Sequence, residues 1–190
     1  MPPIGSLHGS RAWAVSADGT TIVGSADYFN DGFGTQPYLW REATGFTLIA
    51  DGGAAFGVSA DGTVVCVRRG GAGFRWTESA GLLPIGHLRL NSPNTTPRAV
   101  SGDGNVIVGG SWSSNSQPAN QFEAFRWTAP SGIQALGDLP GGNFVSEALA
   151  CSADGSVVVG YGSTDQFYEA FIWDSTNQMR SIQDLLMLDP

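Results

Sequence analysis

Basic side chains are scarce in this chain. Nine Lys and Arg stand against seventeen Asp and Glu among 190 residues, a formal net charge of −8. Binding nucleic acid takes a concentrated basic patch that displaces counterions from phosphates, and these nine are scattered, so no such partner is expected. The acidity serves solubility. Apolar runs are short as well. The longest, Val64 to Val67 and Leu185 to Leu188, fall far below the roughly 18 residues that cross a bilayer as a helix, so no membrane insertion is expected. Met1 to Gly5 lacks the charged and apolar regions of an export signal. Only His8 and His87 are bases poised near neutral pH, and no Gly-x-Ser-x-Gly elbow, Ser-His-Asp set or His cluster accompanies them. Helix signals are nearly absent, with Ser181 to Leu188 room for a turn or two at most.

What the chain has is repetition. Val15-Ser16-Ala17-Asp18-Gly19 returns as Val58-Ser59-Ala60-Asp61-Gly62, Val100-Ser101-Gly102-Asp103-Gly104 and Cys151-Ser152-Ala153-Asp154-Gly155. The Asp anchors lie 43, 42 and 51 residues apart, around the roughly 40 to 45 residues of a four-stranded propeller blade. A second anchor is Tyr38-Leu39-Trp40, Phe74-Arg75-Trp76, Phe125-Arg126-Trp127 and Phe171-Ile172-Trp173. A third is Ile85-Gly86-His87-Leu88, Leu136-Gly137-Asp138-Leu139 and Ile182-Gln183-Asp184-Leu185, with Leu48 to Asp51 a degraded copy and Ile4 to Leu7 a surplus one from a preceding unit.

Each unit parses into four strands. The first ends at the Ser-x-Asp-Gly turn, where Asp bonds the backbone ahead of it. The second is Val-rich on consecutive residues, as an inner strand buried on both faces would be. The third carries two aromatic rings on one face, which fill the gap between neighbouring sheets. The fourth follows a Gly turn and ends in the third anchor. The expected fold is an all-β propeller of four four-stranded blades in one repeat domain, residues 1–190, with repeats at about 8–50, 51–88, 89–139 and 140–188. The 27 glycines suit a chain with that many turns. Cys66 and Cys151 take positions held by Val in other copies, and read as small core residues on different blades rather than a disulfide pair.

The pattern Ala-x-x-Val-Ser-x-Asp-Gly-x-x-Ile-Val-Gly, then Ala-Phe-x-Trp, then Leu-Gly-x-Leu-Pro-Gly-Gly resembles the HAF repeat of extracellular bacterial proteins, some associated with autotransporters. The resemblance spans essentially the whole chain. It implies a β-propeller and an extracellular or cell-envelope setting, and carries no established activity. The His of the repeat's name is replaced, for example by Glu123 and Glu169 ahead of Ala-Phe. A looser similarity links the turns to the Ser-Pro-Asp-Gly repeats of TolB-like propellers.

The Ser-x-Asp-Gly turns invite a calcium reading, but one Asp per blade, at hairpins well separated around a ring, does not converge on a cation, so the turns read as structural and no metal or cofactor is expected. Function belongs where copies differ. The loops between second and third strands, Ser25 to Gln36, Arg68 to Gly73, Gly110 to Glu123 and Tyr161 to Glu169, carry Tyr28, Phe29, Trp112, Tyr161 and Tyr168 among amides and hydroxyls. That is the composition of a surface that stacks sugars or grips peptides. Seven residues before the Asp anchors stand Arg11, Ala54, Thr96 and Glu147, and five before stand Trp13, Phe56, Arg98 and Leu149. Arg11, Arg98 and Glu147 are therefore candidates at the channel mouth, to orient a carboxylate or polyol or to pair with one another.

Three readings follow: a non-catalytic module binding a carbohydrate, peptide or protein partner; a hydrolase at the channel mouth using His8 or His87 with Asp138 or Asp184; and a purely structural array. Four blades and a surplus strand predict a homodimer closing an eight-bladed ring, with a closed four-bladed monomer as the alternative.

Overall fold

The computed structural model describes residues 7–28, 34–90, 94–116 and 120–188. Four antiparallel four-stranded sheets follow one another along the chain. The first holds β1 (Leu7–Val15), β2 (Thr21–Tyr28), β3 (Thr35–Arg41) and β4 (Gly45–Leu48), and the second β5 (Ala54–Val58), β6 (Val64–Arg69), β7 (Ala72–Thr77) and β8 (Gly81–Gly86). The third holds β9 (Thr95–Val100), β10 (Val106–Trp112), β11 (Phe122–Thr128) and β12 (Gly132–Gly137), and the fourth β13 (Ser146–Cys151), β14 (Val157–Ser163), β15 (Tyr168–Asp174) and β16 (Gln178–Ser181). Strand order equals chain order in every sheet, so each is a propeller blade built as a meander.

The first hairpin of each blade is held by its own Ser and Asp. Ser16 Oγ donates to Asp18 Oδ1 at 2.6 Å and accepts from the Thr21 amide at 3.0 Å, while Asp18 Oδ1 accepts from the Thr20 amide at 3.0 Å. The same set recurs at Ser59 and Asp61, Ser101 and Asp103, and Ser152 and Asp154. The expectation that these hairpins are well separated is corrected. First strands line the inner side of the array, so their turns meet: Ala17 N–H donates to Ala60 O, Ala60 N–H to Gly102 O and Asp103 N–H to Ala153 O, at 3.0, 3.0 and 3.1 Å.

Blades pack through layers of consecutive β-branched residues. Val23 and Leu39 meet Val65, Val67 and Trp76 between the first and second blades. Cys66 and Ile85 meet Ile107, Phe125 and Trp127 between the second and third. Val108 and Leu136 meet Val158 and Phe171 between the third and fourth. Phe and Trp of the second anchor thus both face the preceding blade. Both cysteines are free thiols, Cys66 buried as a core residue and Cys151 half-buried, and burial raises the pKa of Cys66 to about 12 and of Cys151 to about 11.

The two end blades break this pattern in a complementary way. Val65, Ile107 and Val158, which face the preceding blade, are fully buried, yet Ile22 at the same position is only half-buried. Val23, Cys66 and Val108, which face the next blade, are fully buried, yet Val159 is half-buried. Val15 and Phe46 are 57% and 37% exposed, where Val58 and Val100, and Leu82 and Ile133, at the same positions are half-buried. The four blades therefore form an open arc whose two end faces are less covered than the faces between blades, in place of the closed four-bladed ring considered above.

Two strand assignments also change. Leu7 opens β1 opposite Tyr28 rather than closing an earlier unit, and residues 4–6 lie outside the described residues. Ile182 to Leu185 begins helix α1 (Ile182–Leu188) instead of ending a strand. In the second and third blades this position turns on Gly86 and Gly137, at φ +86° and +82°. The fourth blade has Gln183 there, which disfavours the left-handed turn, and Ser181 Oγ instead accepts from the Asp184 amide at 3.3 Å to start the helix.

Candidate functional site

Every innermost strand carries a β-bulge at the same place. Pairing skips Trp13 between Ala12 and Ala14, Phe56 between Ala55 and Gly57, Arg98 between Pro97 and Ala99, and Leu149 between Ala148 and Ala150. A bulge inserts one unpaired residue and re-aims its side chain. In three blades a glycine of the second strand lets the bulged backbone close in. A Cβ on Gly24, Gly109 or Gly160 would collide with the carbonyl oxygen of Arg11, Thr96 or Glu147 respectively. The residue five before each Asp anchor is thus the unpaired one of its innermost strand, a backbone device repeated in every blade.

From these bulges a string of contacts runs across all four blades. Trp13 lies 5.6 Å from Phe56, centroid to centroid, and the Arg98 guanidinium sits 5.6 Å above the Phe56 ring. Arg98 Nε donates to Glu147 Oε1 at 2.7 Å, and Tyr161 Oη donates to Glu147 Oε2 at 2.7 Å. Tyr168 completes the string, edge-on to Tyr161 at 5.4 Å. Glu147 is buried, so both of its oxygens are satisfied within the protein. Burial and, next, the bond to Glu147 push the Tyr161 hydroxyl up to about 12, leaving it a neutral donor across the physiological range.

Of the residues singled out from the sequence, the structure brings Arg98, Glu147, Tyr161 and Tyr168 into this string. Arg11 stands apart from the pair, on the wall of a neighbouring cleft. Trp112 ends β10, one strand further out and opposite Phe122. Tyr28 ends β2, and Phe29 lies outside the described residues. The loop placement is corrected: second strands run two to four residues past the expected ends, so Tyr28, Trp112 and Tyr161 are strand residues and Tyr168 opens a strand. Trp13 and Phe56, which join the string, were visible only as the other members of the five-before set.

The groups considered for hydrolysis are spread over separate blades. His87 follows β8, half-buried, with Nε2 3.3 Å from Leu90 O. Asp138 follows β12 and accepts from the Val145 and Ser163 amides at 2.6 and 3.2 Å, tying a connection to its neighbouring blade, while burial raises its carboxyl. Asp184 lies in the first turn of α1. Equivalent positions in different blades do not converge, and these three do not form a catalytic set. The hairpin carboxylates are held low instead, first by the Ser hydroxyl of each turn and then by the backbone amide, Asp154 to about 2.

Clefts open on the arc among the described residues. One of about 440 Å³, between the first and second blades, is lined by Arg11, Trp13, Phe56 and Arg68 among others. A second, of about 590 Å³, lies beside Pro140, Phe167, Glu169 and Gln183. A third, of about 690 Å³, lies on the hairpin side near Arg75, Asn105, Arg126 and Asp154. The first shares Trp13 and Phe56 with the string, which makes string and cleft one continuous surface.

No protein-family model and no curated protein matches the sequence. Solved structures do. A TolB from Acinetobacter baumannii is 16% identical with a TM-score of 0.58, covering 93% of this chain and 44% of its own. A putative TolB from Agrobacterium tumefaciens is 16% identical at 0.57, covering 88% and 62%. A puromycin hydrolase is 17% identical at 0.56, covering 93% and 28%. The chain thus spans less than two thirds of each of these proteins. At such identities the likeness is one of fold, and it shows that the four sheets are the blades of a β-propeller.

Proposed function

We propose that this chain is a binding module of the cell envelope or the extracellular space, holding a glycan, peptide or protein partner along the channel side of its blades. The observation that carries the reading is the string from Trp13 to Tyr168, in which aromatic faces alternate with a guanidinium and a carboxylate across every blade. Trp13 and Tyr168 are 49% and 64% exposed, a costly use of large rings unless something covers them. The side chains between them are cross-braced, so the surface is preorganised and little ordering entropy is lost on binding. The setting is supported by the resemblance to the extracellular repeat. Titrating the labelled chain with neutral and acidic oligosaccharides and short peptides, and mapping amide shifts, tests the reading: shifts clustered at Trp13, Phe56, Arg98 and Tyr168 are expected. Shifts confined to the hairpin side, or no binding at all, would overturn it.

A second copy of the chain is proposed as the cover of the two partly covered end faces. The support is quasi-equivalence: Ile22, Trp40 and Phe46 occupy the positions by which the second to fourth blades grip their predecessors, and Val159 the position by which the first three grip their successors. Head-to-tail contact of two copies at both ends yields an eight-bladed ring.

A further inference from the structure

We propose that the cleft between the first and second blades is a site for a carboxylate-bearing sugar, a uronic-acid residue of a polysaccharide. This rests on the binding reading above and narrows its ligand class. The chain has no lysine, so all nine of its cations are arginines, and two of them, Arg11 and Arg68, line this one cleft in a protein of net charge −8. Guanidinium groups offer forked donors that match a carboxylate, which an ammonium does not.

Arg98, on the adjoining string, is neutralised by Glu147. Arg68 is differently placed: Nη2 donates to the Asn94 amide oxygen at 3.3 Å, and its buried Nε has no hydrogen-bond partner among the described residues. Arg11 is exposed on the cleft wall. The apolar side of the cleft is aromatic, Trp13 tilted against Phe56, a platform for the C–H face of a pyranose. Ser25 and Thr35 supply hydroxyls; Ser25 Oγ accepts from Trp13 Nε1 at 3.3 Å, and Thr35 Oγ1 donates to Asp27 Oδ1 at 2.8 Å. Asp27 is thus spent on Thr35 at the edge of the site. A volume of about 440 Å³ falls within the about 300–1,000 Å³ usual for small-ligand sites. An arginine pair, an aromatic platform and hydroxyls together select an acid carried on a sugar over a bare anion, which uses only the arginines.

Isothermal titration of the full chain with trigalacturonate, its methyl-esterified counterpart and inorganic phosphate tests the proposal. The expected result is binding of the acid, at least tenfold weaker binding of the ester and phosphate, and at least tenfold loss of acid binding in Arg11→Ala with an unchanged melting curve. Arg11→Lys should recover only part of the loss, and Trp13→Ala should weaken the sugar acid without changing the phosphate response. Equal affinity for acid and ester, an unaffected Arg11→Ala, or phosphate binding as tightly as the sugar acid would overturn it. If a neutral glycan or peptide binds and is lost in Tyr168→Ala while trigalacturonate fails, this proposal falls and the wider reading stands; if nothing binds, both fall.

Discussion

Arg98 of the third blade donates to Glu147 of the fourth across a sheet boundary, at 2.7 Å, and the two side chains differ in burial, 35% exposed against 5%. The carboxylate therefore depends on the arginine more than the arginine on it. Replacing Arg98 by Ala leaves a buried charge compensated only by Tyr161, and the partial exposure of Arg98 reduces the cost below that of a fully buried pair. A loss of about 1–3 kcal/mol in urea unfolding is expected. Glu147→Gln, which retains an acceptor for Tyr161, should cost less. Equal and negligible losses would show that the pair is decorative.

Tyr161 sets an alkaline limit. Its hydroxyl is raised from 10.0 to about 12, by burial first and the Glu147 bond second. A group with a raised native pKa stabilises the fold fully below its unfolded pKa and loses that contribution as pH climbs to the native value. Stability should thus fall between about pH 10 and about 12, and Tyr161→Phe should flatten the fall. An identical alkaline profile for wild type and variant would contradict this assignment.

The hairpins set the acidic limit by the opposite sign. Their Asp carboxyls are lowered, Asp154 from 3.8 to about 2, chiefly by the Ser hydroxyl, so their contribution is present above about pH 4 and is lost as pH falls toward 2. The Ser is the more telling substitution. Ser59 is fully buried, gives its proton to Asp61 and accepts from the Val64 amide, so Ser59→Ala should cost about 1–3 kcal/mol by orphaning that amide. It should also raise the Asp61 titration midpoint seen by carbon-detected NMR; an unmoved midpoint would contradict the stated cause.

Assembly is read from mass. Light scattering after gel filtration should give twice 19.8 kDa for the wild type, and 19.8 kDa for Ile22→Asp or Val159→Asp, which place a charge on an end face. A wild-type mass of 19.8 kDa at every concentration would contradict the second copy.

Blade order, hairpins and the aromatic face were legible because each is written within one repeat and read four times. The bulges were half legible. Counting back from Asp18, Asp61, Asp103 and Asp154 picks out Trp13, Phe56, Arg98 and Leu149, but the bulge at each is a matter of cross-strand register, in three blades with close approach to Gly24, Gly109 or Gly160 of the next strand, a tertiary relation. The bond from Ala17 to Ala60 joins different blades and leaves no local signal, whereas the pairing of Arg98 with Glu147 is one of the two outcomes that counting back to the channel-mouth charges suggested. Gln183 in place of Gly86 and Gly137 is visible in the sequence, as is room for a turn or two of helix over Ser181 to Leu188, but that the helix displaces the end of the last strand depends on the cap from Ser181.

The central claim is that the channel side of the blades, from Trp13 to Tyr168, binds a ligand. The direct measurement is equilibrium binding of an oligosaccharide and peptide panel to the wild type, Trp13→Ala and Tyr168→Ala, two substitutions at exposed rings that leave the blade interiors intact. The account predicts that a ligand held by the wild type loses at least tenfold in affinity in one or both variants, without a change in melting temperature. Undiminished binding in both variants would contradict it.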